Sequence, residues 1–506
     1  MKTKLSVYWS RRDFRLHDNP ALSAAAKYSK EENCELLPIF ILENYMTEAD
    51  TKFQFGSPSR YFLSCALPEF SKNFNNFAIV KGKAAESLIN IAKDFDIKIF
   101  VNEDVYIDFY KQIKKLQKNN IEVEIFNDQM TVDKETRSGT GNYYSVFTPF
   151  KNAVWKEFLS AKVVDEANLK DINFISDDNF KKIENKVEVS KANIWKAFSH
   201  ERKFEAGGNI YDVDSLLSFK PDFFIDEKAQ AENRDFYFTE DYALKHFKKY
   251  VKEELSQYKE NRDSLEKDRT SKMSLALAWG LVSSRSLKAE IQQHFDEDFI
   301  AFAGVKEIAP KYVGAVHFVS ELIWREFYKY LLYRKPELMD TEFQEKFRGT
   351  INWTSDRNAK IRFEAWIQGR TGYKVVDAAM MQLAKSGWMH NRSRMIVASV
   401  LTKNLGVDWR WGQEYFRAML LDLDEASNNG GWQWGASVGA DPKPIRIFNP
   451  YLQAENYDKN NIYQKKWLGD DFFFGPEPLI EHKDARVEAL KRYGLDGEKN
   501  LFPRDY

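Results

Sequence analysis

Two cysteines, Cys34 and Cys65, are all that the 506 residues contain. That is too few for a disulfide framework or a thiolate metal centre, and it fits a reducing cytosol; no metal is expected. Histidine is sparse too, at seven. There is no excess of positive charge: 75 Lys and Arg stand against 76 Asp and Glu, a net charge of -1. Attraction of the whole molecule to nucleic acid is thereby excluded, and any such site has to be a local basic patch on a neutral body. No apolar run approaches the ~20 residues of a membrane span, and the opening MKTKLSVYWSRRDF lacks the apolar core of a signal peptide. These absences predict a soluble, cytoplasmic protein. A GxGxxG run after the first apolar segment is also missing, which removes the ordinary dinucleotide fingerprint. The only Gly-rich run nearby, Ser138-Gly139-Thr140-Gly141-Asn142, reads as a loop.

What the chain has is length and aromatics. Its size suggests two or three domains. Phe, Trp and Tyr make up 15%, with 13 Trp, 24 Tyr and 39 Phe; large aromatic cores would account for this without any ligand. Short apolar runs at 5–9, 36–42, 77–80, 98–101 and 123–126 read as strands. Helical patterns open at Asn19-Pro20 and at about Ser59 and recur over 84–95 and 106–117. Five strands alternating with four helices predict an α/β, doubly wound, Rossmann-like parallel sheet over 1–132, with ligands at the carboxyl ends of its strands. Residues 133–239 read as a mixed interdomain connector, partly helical near 147–159. From about 240 to 506 the periodicity is helical, with clear runs at 242–255, 274–281, 313–332, 375–383 and 396–405, predicting a large all-α carboxyl-terminal domain.

The informative stretch is 387–450. Asn391, Arg394 and Met395 lie at i, i+3 and i+4, which on a helix puts an amide, a guanidinium and a soft apolar side chain on one face. Such a face is not simple core, because Arg is almost never buried unpaired; a surface face with Met turned inward explains it equally. Asp422 and Asp424 close an apolar helix ahead of Ser427-Asn428-Asn429-Gly430-Gly431. Carboxylates there accept from Arg394 or from a ligand, and the Gly pair lets backbone approach closely; a Gly-capped helix end reads the same way. Trp409, Trp411, Trp432 and Trp434 crowd the same stretch. Any one of them is readily core, but the cluster beside Asp, Asn and Gly exceeds what packing asks for, and each indole N–H needs a partner when buried.

The run Asn428-Asn429-Gly430-Gly431-Trp432-Gln433-Trp434 resembles the flavin-pocket signature of the DNA photolyase/cryptochrome family, in particular of class I cyclobutane pyrimidine dimer photolyases. The resemblance continues in Gly369-Arg370-Thr371-Gly372-Tyr373, Val376-Asp377-Ala378-Ala379-Met380, Trp388-Met389-His390-Asn391-Arg392 and Glu321-Leu322-Ile323-Trp324-Arg325-Glu326-Phe327-Tyr328. It reaches the amino terminus in Arg12-Asp13-Phe14-Arg15-Leu16-His17-Asp18-Asn19, and covers nearly the whole chain apart from the connector, 135–235.

The resemblance implies FAD folded into a U within the helical domain. Tyr258 and the run Thr270-Ser271-Lys272-Met273-Ser274 look like its adenosine and phosphate contacts, since hydroxyls and helix-opening N–H groups suit a pyrophosphate. Arg325 looks like a phosphate-side contact, and Phe318 stands where the family often has Trp. Arg394 and Asp422 would pair over the isoalloxazine, Asp424 would bond the ring edge or ribityl side, and Asn428 would face flavin N5. Trp324 and Trp434 would wall a dimer pocket above Met395, with Glu321 and Asn391 bonding the pyrimidine edges. Arg262, Tyr328, Arg392 and Arg446 would grip phosphates of UV-damaged DNA. Trp432, Trp409 and Trp353 resemble the family's electron relay. The implied activity is that of a deoxyribodipyrimidine photo-lyase: blue light excites FADH⁻, an electron enters the flipped dimer, the cyclobutane opens and the electron returns.

An antenna chromophore, a methenyltetrahydrofolate or an 8-hydroxy-deazaflavin, is expected in the α/β domain, near Asn102-Glu103-Asp104 and the Gly56-Ser57-Pro58-Ser59-Arg60 turn. The protein is expected to act as a monomer. The rival reading is a cryptochrome-type blue-light receptor. Against it, Asn428 stands where plant receptors usually place Asp, and the chain ends soon after Leu495-Asp496-Gly497, so no signalling tail is expected. A (6-4) photolyase would need a histidine pair where His390 is followed by Asn391. An unrelated flavin electron carrier would need no DNA-facing Arg set.

Overall fold

A computed structural model describes residues 2–47, 56–105, 107–189, 203–217, 238–295, 308–440 and 445–495. Five parallel strands form the amino-terminal sheet: β1 Thr3–Ser10, β2 Glu35–Leu42, β3 Ala78–Lys81, β4 Phe95–Asn102 and β5 Glu122–Phe126. A sixth, β6 Glu188–Val189, runs antiparallel beside β3, giving the order β5-β4-β1-β2-β3-β6. The doubly wound sheet is therefore present, and the edge strand is an addition that only two residues long carries no readable alternation. The helix expected over 84–95 stops at Ala92, because β4 takes Phe95 into register with Thr3.

Alternation explains why the strands read as unbroken apolar runs. Leu5, Val7 and Trp9 of β1 and Leu37, Ile39 and Ile41 of β2 face one core, with Leu88, Ile91 and Phe109 of the helices Ala84–Ala92 and Ile107–Lys118. Tyr8, Leu36, Phe40 and Leu42 face the opposite way, into a core continuous with the helical half. A sheet buried on both faces has no polar stripe to show. Trp279, from the helix Ser274–Trp279, stacks on Phe14 and Phe62 with centroids at 6.4 and 5.0 Å. A buried ionic cluster crosses the same boundary: Asp128 accepts from Arg15 at 2.5 Å and from Arg285 at 2.7 Å, and Arg285 also reaches Asp18 at 2.9 Å. The Arg12-to-Asn19 segment is thus part of the joint between sheet and helices.

The connector is more structured than its composition suggests. It holds the helices Phe147–Ser160 and Asp177–Glu184, then a hairpin of β7 Lys203–Ala206 and β8 Asn209–Asp212. Gly207 and Gly208 turn that hairpin with φ of 54° and 72°, the conformation of a two-residue type I′ turn, which only Gly adopts freely. Gly207 also lies so close to the Trp411 ring that a methyl group would sit 1.8 Å from it. The stretches 190–202 and 218–237 of the connector lie outside the described residues. Among the described residues no helix is long and apolar enough to cross a membrane.

Candidate flavin and substrate site

Three helices converge on the site: Val313–Arg334, Asn391–Ser399 and Glu425–Gly435. The last carries the Asn428-to-Trp434 run, and its start is unusually acidic, which a helix amino terminus favours. Each acid is held by cations from a different helix. Arg394 donates to both oxygens of Asp422, at 3.0 and 2.8 Å, and its Nε to the Met389 carbonyl. Asp424 caps the helix by accepting from the Ser427 N–H at 2.9 Å and pairs with Lys329 at 3.0 Å, with Arg325 at 3.7 Å. Glu425 pairs with Arg417 of the helix Trp409–Met419 at 2.7 Å. Burial opposes the charge on Asp424, yet Lys329 and Arg325 hold its carboxyl well below the usual range. Asp424 is thus occupied by protein cations as well as by its cap. Arg325, expected on a phosphate, donates to the carbonyls of Gln129 and Leu277 at 3.1 and 3.2 Å and so ties the sheet domain to the helices.

Within the run the residues divide by role. Asn429 donates to the Leu338 carbonyl and to Gln413, and Gln433, one turn on, donates to the carbonyls of Leu338 and Thr341; both are internal braces. Asn428 donates to the Gln413 carbonyl at 3.2 Å, but its Oδ1 is buried with no donor among the described residues. A buried acceptor left unmatched costs about 1–3 kcal/mol, and a ligand N–H facing it removes that cost, which fits a flavin ring N–H. Gly430 meets Tyr328: a methyl group there would lie 2.1 Å from the ring, whereas at Gly431 nothing stands within 4 Å. The two glycines should therefore respond with opposite signs. Gly431→Ala should gain up to ~1 kcal/mol of helix propensity. Gly430→Ala should lose more to overpacking, about 1–3 kcal/mol. Thermal unfolding of the two variants checks this, and equal shifts would rule out the Tyr328 contact.

Around this helix several aromatic and polar side chains stay partly open. Trp324 and Trp434 are only part-buried. Phe147 stacks on Trp324 at 3.6 Å and 10°, and Tyr328 lies at 5.4 Å. Arg446 lies over Trp434, 5.4 Å from its centroid. The exposed amide of Asn391 approaches Met395 Sδ at 3.9 Å. Glu321 accepts from Arg262 at 2.5 Å. Three residues expected to grip phosphate also have partners in the protein: Arg262 on Glu321, Arg392 on Asp263 at 2.8 Å, and Tyr328 against Gly430 and Trp324. Phe147 and Lys151 were not anticipated. They sit at i and i+4 of the connector helix, where Lys151 faces Glu321, and only that spacing within a segment already read as helical could have signalled them.

The proposed adenosine and phosphate side forms a second group. Tyr258 packs edge-on to Phe318 at 5.3 Å, and Phe318 is buried among Phe247 and Tyr250. The loop before Ser274 holds Asp268 and Lys272 at φ of 42° and 54°, strained values for such residues that gather at ligand sites. Lys272 pairs with Asp268 at 3.0 Å, Thr270 approaches Asp268 at 3.5 Å, and the Ser271 hydroxyl accepts from the Met273 N–H. The Trp388 indole donates to Ser274 at 3.4 Å, and no side chain caps the helix that Ser274 opens. Of the three relay candidates, Trp432 and Trp409 are buried and Trp353 is part-exposed, packed on Tyr493 at 6.1 Å. Trp432 contacts Phe416 and Trp366 at 5.0 and 5.9 Å, and Trp409 donates to Glu342.

At the sheet's carboxyl edge, Asn102 is consumed by Asp13 and Asn19, Glu103 holds Lys134 and Tyr110, and Asp104 pairs with Arg11 at 3.3 Å. The turn at Gly56 joins the domains: a methyl group on Gly56 would strike the Ala418 carbonyl, and Ser59 donates to the Leu420 carbonyl.

A mostly parallel six-stranded sheet joined to a helical body that carries this acid-anchored helix is an architecture shared with solved proteins of known class. The DNA photolyase family matches residues 6–168, and the FAD binding domain of DNA photolyase matches residues 318–471. A deoxyribodipyrimidine photo-lyase from Alkalihalophilus pseudofirmus is 31% identical over 98% of this chain and 99% of its own. Among solved structures, a class III photolyase from Agrobacterium tumefaciens is 27% identical at a TM-score of 0.72, covering 98% of both chains. A cryptochrome from Synechocystis shares the fold at a TM-score of 0.74 and 22% identity, covering 97% of this chain and 99% of its own. The chain belongs to the DNA photolyase family, and its helical part is that family's FAD-binding domain.

Proposed function

We propose that this protein repairs cyclobutane pyrimidine dimers in DNA, driven by blue light. One observation carries the reading: Trp324, Trp434 and Met395, apolar side chains that folding alone would bury, stay part-open on the three helices that converge here, and the amide of Asn391 is exposed. Large apolar side chains left open together mark a binding surface. Photolyases take the target base out of the stack, and two indoles offer flat faces to the extruded pyrimidines. Glu321 and Asn391 then bond the base edges. Bound reduced FAD supplies the excited-state electron. Arg394 and Asp422 would hold the ring region and Asn428 would accept from a flavin N–H. Trp353, Trp409 and Trp432 would serve as the route by which electrons reach a bound, oxidised cofactor. An antenna chromophore, if the α/β domain takes one, would meet Asp104 and Arg11 at the strand ends.

The test is thymine recovery from UV-dimerised oligothymidine with the reduced holoprotein, under blue light and in the dark. Recovery in light alone supports repair. A light-receptor reading is favoured by Phe147, which already covers one face of Trp324 at 3.6 Å; no recovery with FAD bound and reduced would favour it over repair. Trp324→Ala should weaken dimer binding by about tenfold to a hundredfold, since base stacking on an aromatic is worth about 1–3 kcal/mol. It should leave FAD bound, and loss of flavin instead would mean that Trp324 belongs to the cofactor site.

A further inference from the structure

Trp409 and Trp432 are both buried, yet their indole N–H groups end differently. Trp432 Nε1 has no hydrogen-bond acceptor among the described residues. Trp409 Nε1 donates to Glu342 Oε1 at 3.3 Å, and the Glu342 side chain keeps only 4% of its surface open. Trp432 packs against the helix that Trp409 opens: a methyl group on Gly412, three residues along it, would lie 2.1 Å from the Trp432 ring. Glu342 is shared. Its Oε1 also accepts from Arg410 Nη2 at 2.8 Å, and Arg410 Nη1 reaches both oxygens of Asp408 at 3.0 Å. The Arg410 guanidinium stands 4.7 Å from the centroid of the Trp409 ring.

We propose that Glu342 is the internal base of the electron relay: it takes the Nε1 proton when Trp409 gives up an electron, and hands it back when the ring is refilled. The proposal rests on the relay reading above. Its basis is electrostatic. An indole that loses an electron becomes a cation, and a cation in a dry interior is costly unless it is paired or neutralised. The Trp432 proton has no acceptor to move to, whereas Trp409 has a carboxylate within hydrogen-bond reach, the placement that a base requires. The fixed charge of Arg410 repels a second positive charge on the ring beside it, and loss of the proton removes that repulsion. Once protonated, Glu342 no longer balances Arg410, but Asp408 does, so no buried cation is stranded. Tyr493 also faces Glu342, and its hydroxyl is committed to the Ala436 carbonyl. Arg348 approaches from the main-chain side, donating to the Glu342 carbonyl at 2.9 Å. The step balances. Trp432 passes one electron to photoexcited, oxidised FAD and is refilled by Trp409; the Trp409 N–H bond breaks and a Glu342 O–H bond forms. A small-molecule thiol in solution, itself oxidised, returns the electron through Trp353, and the proton goes back to Nε1.

The test is flash transient absorption on the full chain loaded with oxidised FAD and carrying Trp353→Phe, so that oxidation stops at Trp409. The neutral tryptophanyl radical is expected, formed at a rate that slows in D2O and does not depend on buffer concentration. Trp409→Phe should abolish the signal; its survival would place the radical elsewhere and overturn the proposal. Adding Glu342→Gln keeps an amide oxygen for the hydrogen bond and removes the base. That change is expected to leave the cation alone and to shorten its lifetime about a hundredfold, the low end of what a positioned base contributes. A neutral radical formed equally fast with Gln at 342, or a cation alone in the Trp353→Phe parent, sinks the transfer and leaves the relay standing. Should the Gln variant lose its flavin, the isotope and buffer behaviour of the parent decide alone. Absence of any tryptophan radical with oxidised FAD bound removes the relay reading and the transfer with it.

Discussion

Arg394→Ala is expected to destabilise the folded protein by about 3–5 kcal/mol and to release its flavin. The reason is the setting of its partner. The Asp422 side chain has none of its surface open to water, whereas Arg394 keeps 24%. Removing the cation leaves a buried charge with nothing to balance it, and breaking such a pair from one side carries a cost of that size. It also frees the Met389 carbonyl, which accepts from Arg394 Nε at 2.8 Å, and unpins the amino-terminal approach to the helix Glu425–Gly435. Asp422→Asn is the gentler change: the guanidinium retains water and the amide retains an acceptor, so a loss of about 1–3 kcal/mol is expected. Denaturant unfolding of the two variants, with flavin absorbance recorded beside it, orders these outcomes. If Asp422→Asn proved the more damaging, the pair would not be the buried charge described here.

The comparison of sequence with structure turns on what periodicity can and cannot carry. The five sheet strands were legible because each is long enough to show an apolar run bounded by turns. β6 has only two residues, and β7 and β8, though as long as β3 at four each, mix charged and polar residues among the apolar ones where β3 runs Ala-Ile-Val, so they show no apolar run. The Gly207-Gly208 pair was visible, yet the strands flanking it were not, since half of their pattern faces Trp411 and the helical half rather than the sheet. Site residues followed the same division. Asn391, Arg394 and Met395 share a face because their spacing places them there, and Arg394 with Asp422 is a pairing that charge suggested. Charge alone did not tell which cation meets which acid. Lys329 on Asp424, Arg262 on Glu321 and Arg392 on Asp263 bring together residues from different helices and loops, and no spacing encodes that. Asn429 and Gln433 show the converse: they belong to the most recognisable run in the chain and act as internal braces, while Asn428 beside them keeps an unmatched acceptor.

Acid should weaken the fold through His390, by about 3 kcal/mol between pH 6.5 and 4. The ring is 1% exposed and caps the helix Asn391–Ser399, its Nδ1 accepting from the Arg392 N–H at 3.1 Å. That bond requires Nδ1 to be unprotonated, and Nε2 is buried without a hydrogen-bond partner among the described residues. Burial lowers the imidazole from 6.5 to about 4, with Asp268 and Asp263 opposing. The sign follows from which state binds the proton. In that window the unfolded chain holds the proton and the folded one does not, so stability is full above pH 6.5 and falls as pH drops toward 4. A shift of this size corresponds to about 3 kcal/mol. Two buried carboxyls act in the opposite sense, because burial raises Glu240 to about 7 and Asp377 to about 6, and their folded states take up protons first. The raw pH profile therefore mixes both signs, and the informative quantity is a difference. His390→Asn keeps a capping side chain of comparable quality and removes the titration, so its stability should exceed that of the wild type increasingly as pH falls from 6.5. Parallel profiles would mean that the imidazole is hydrated or already charged in the fold, and the helix that presents Asn391, Arg394 and Met395 would then start from a different cap.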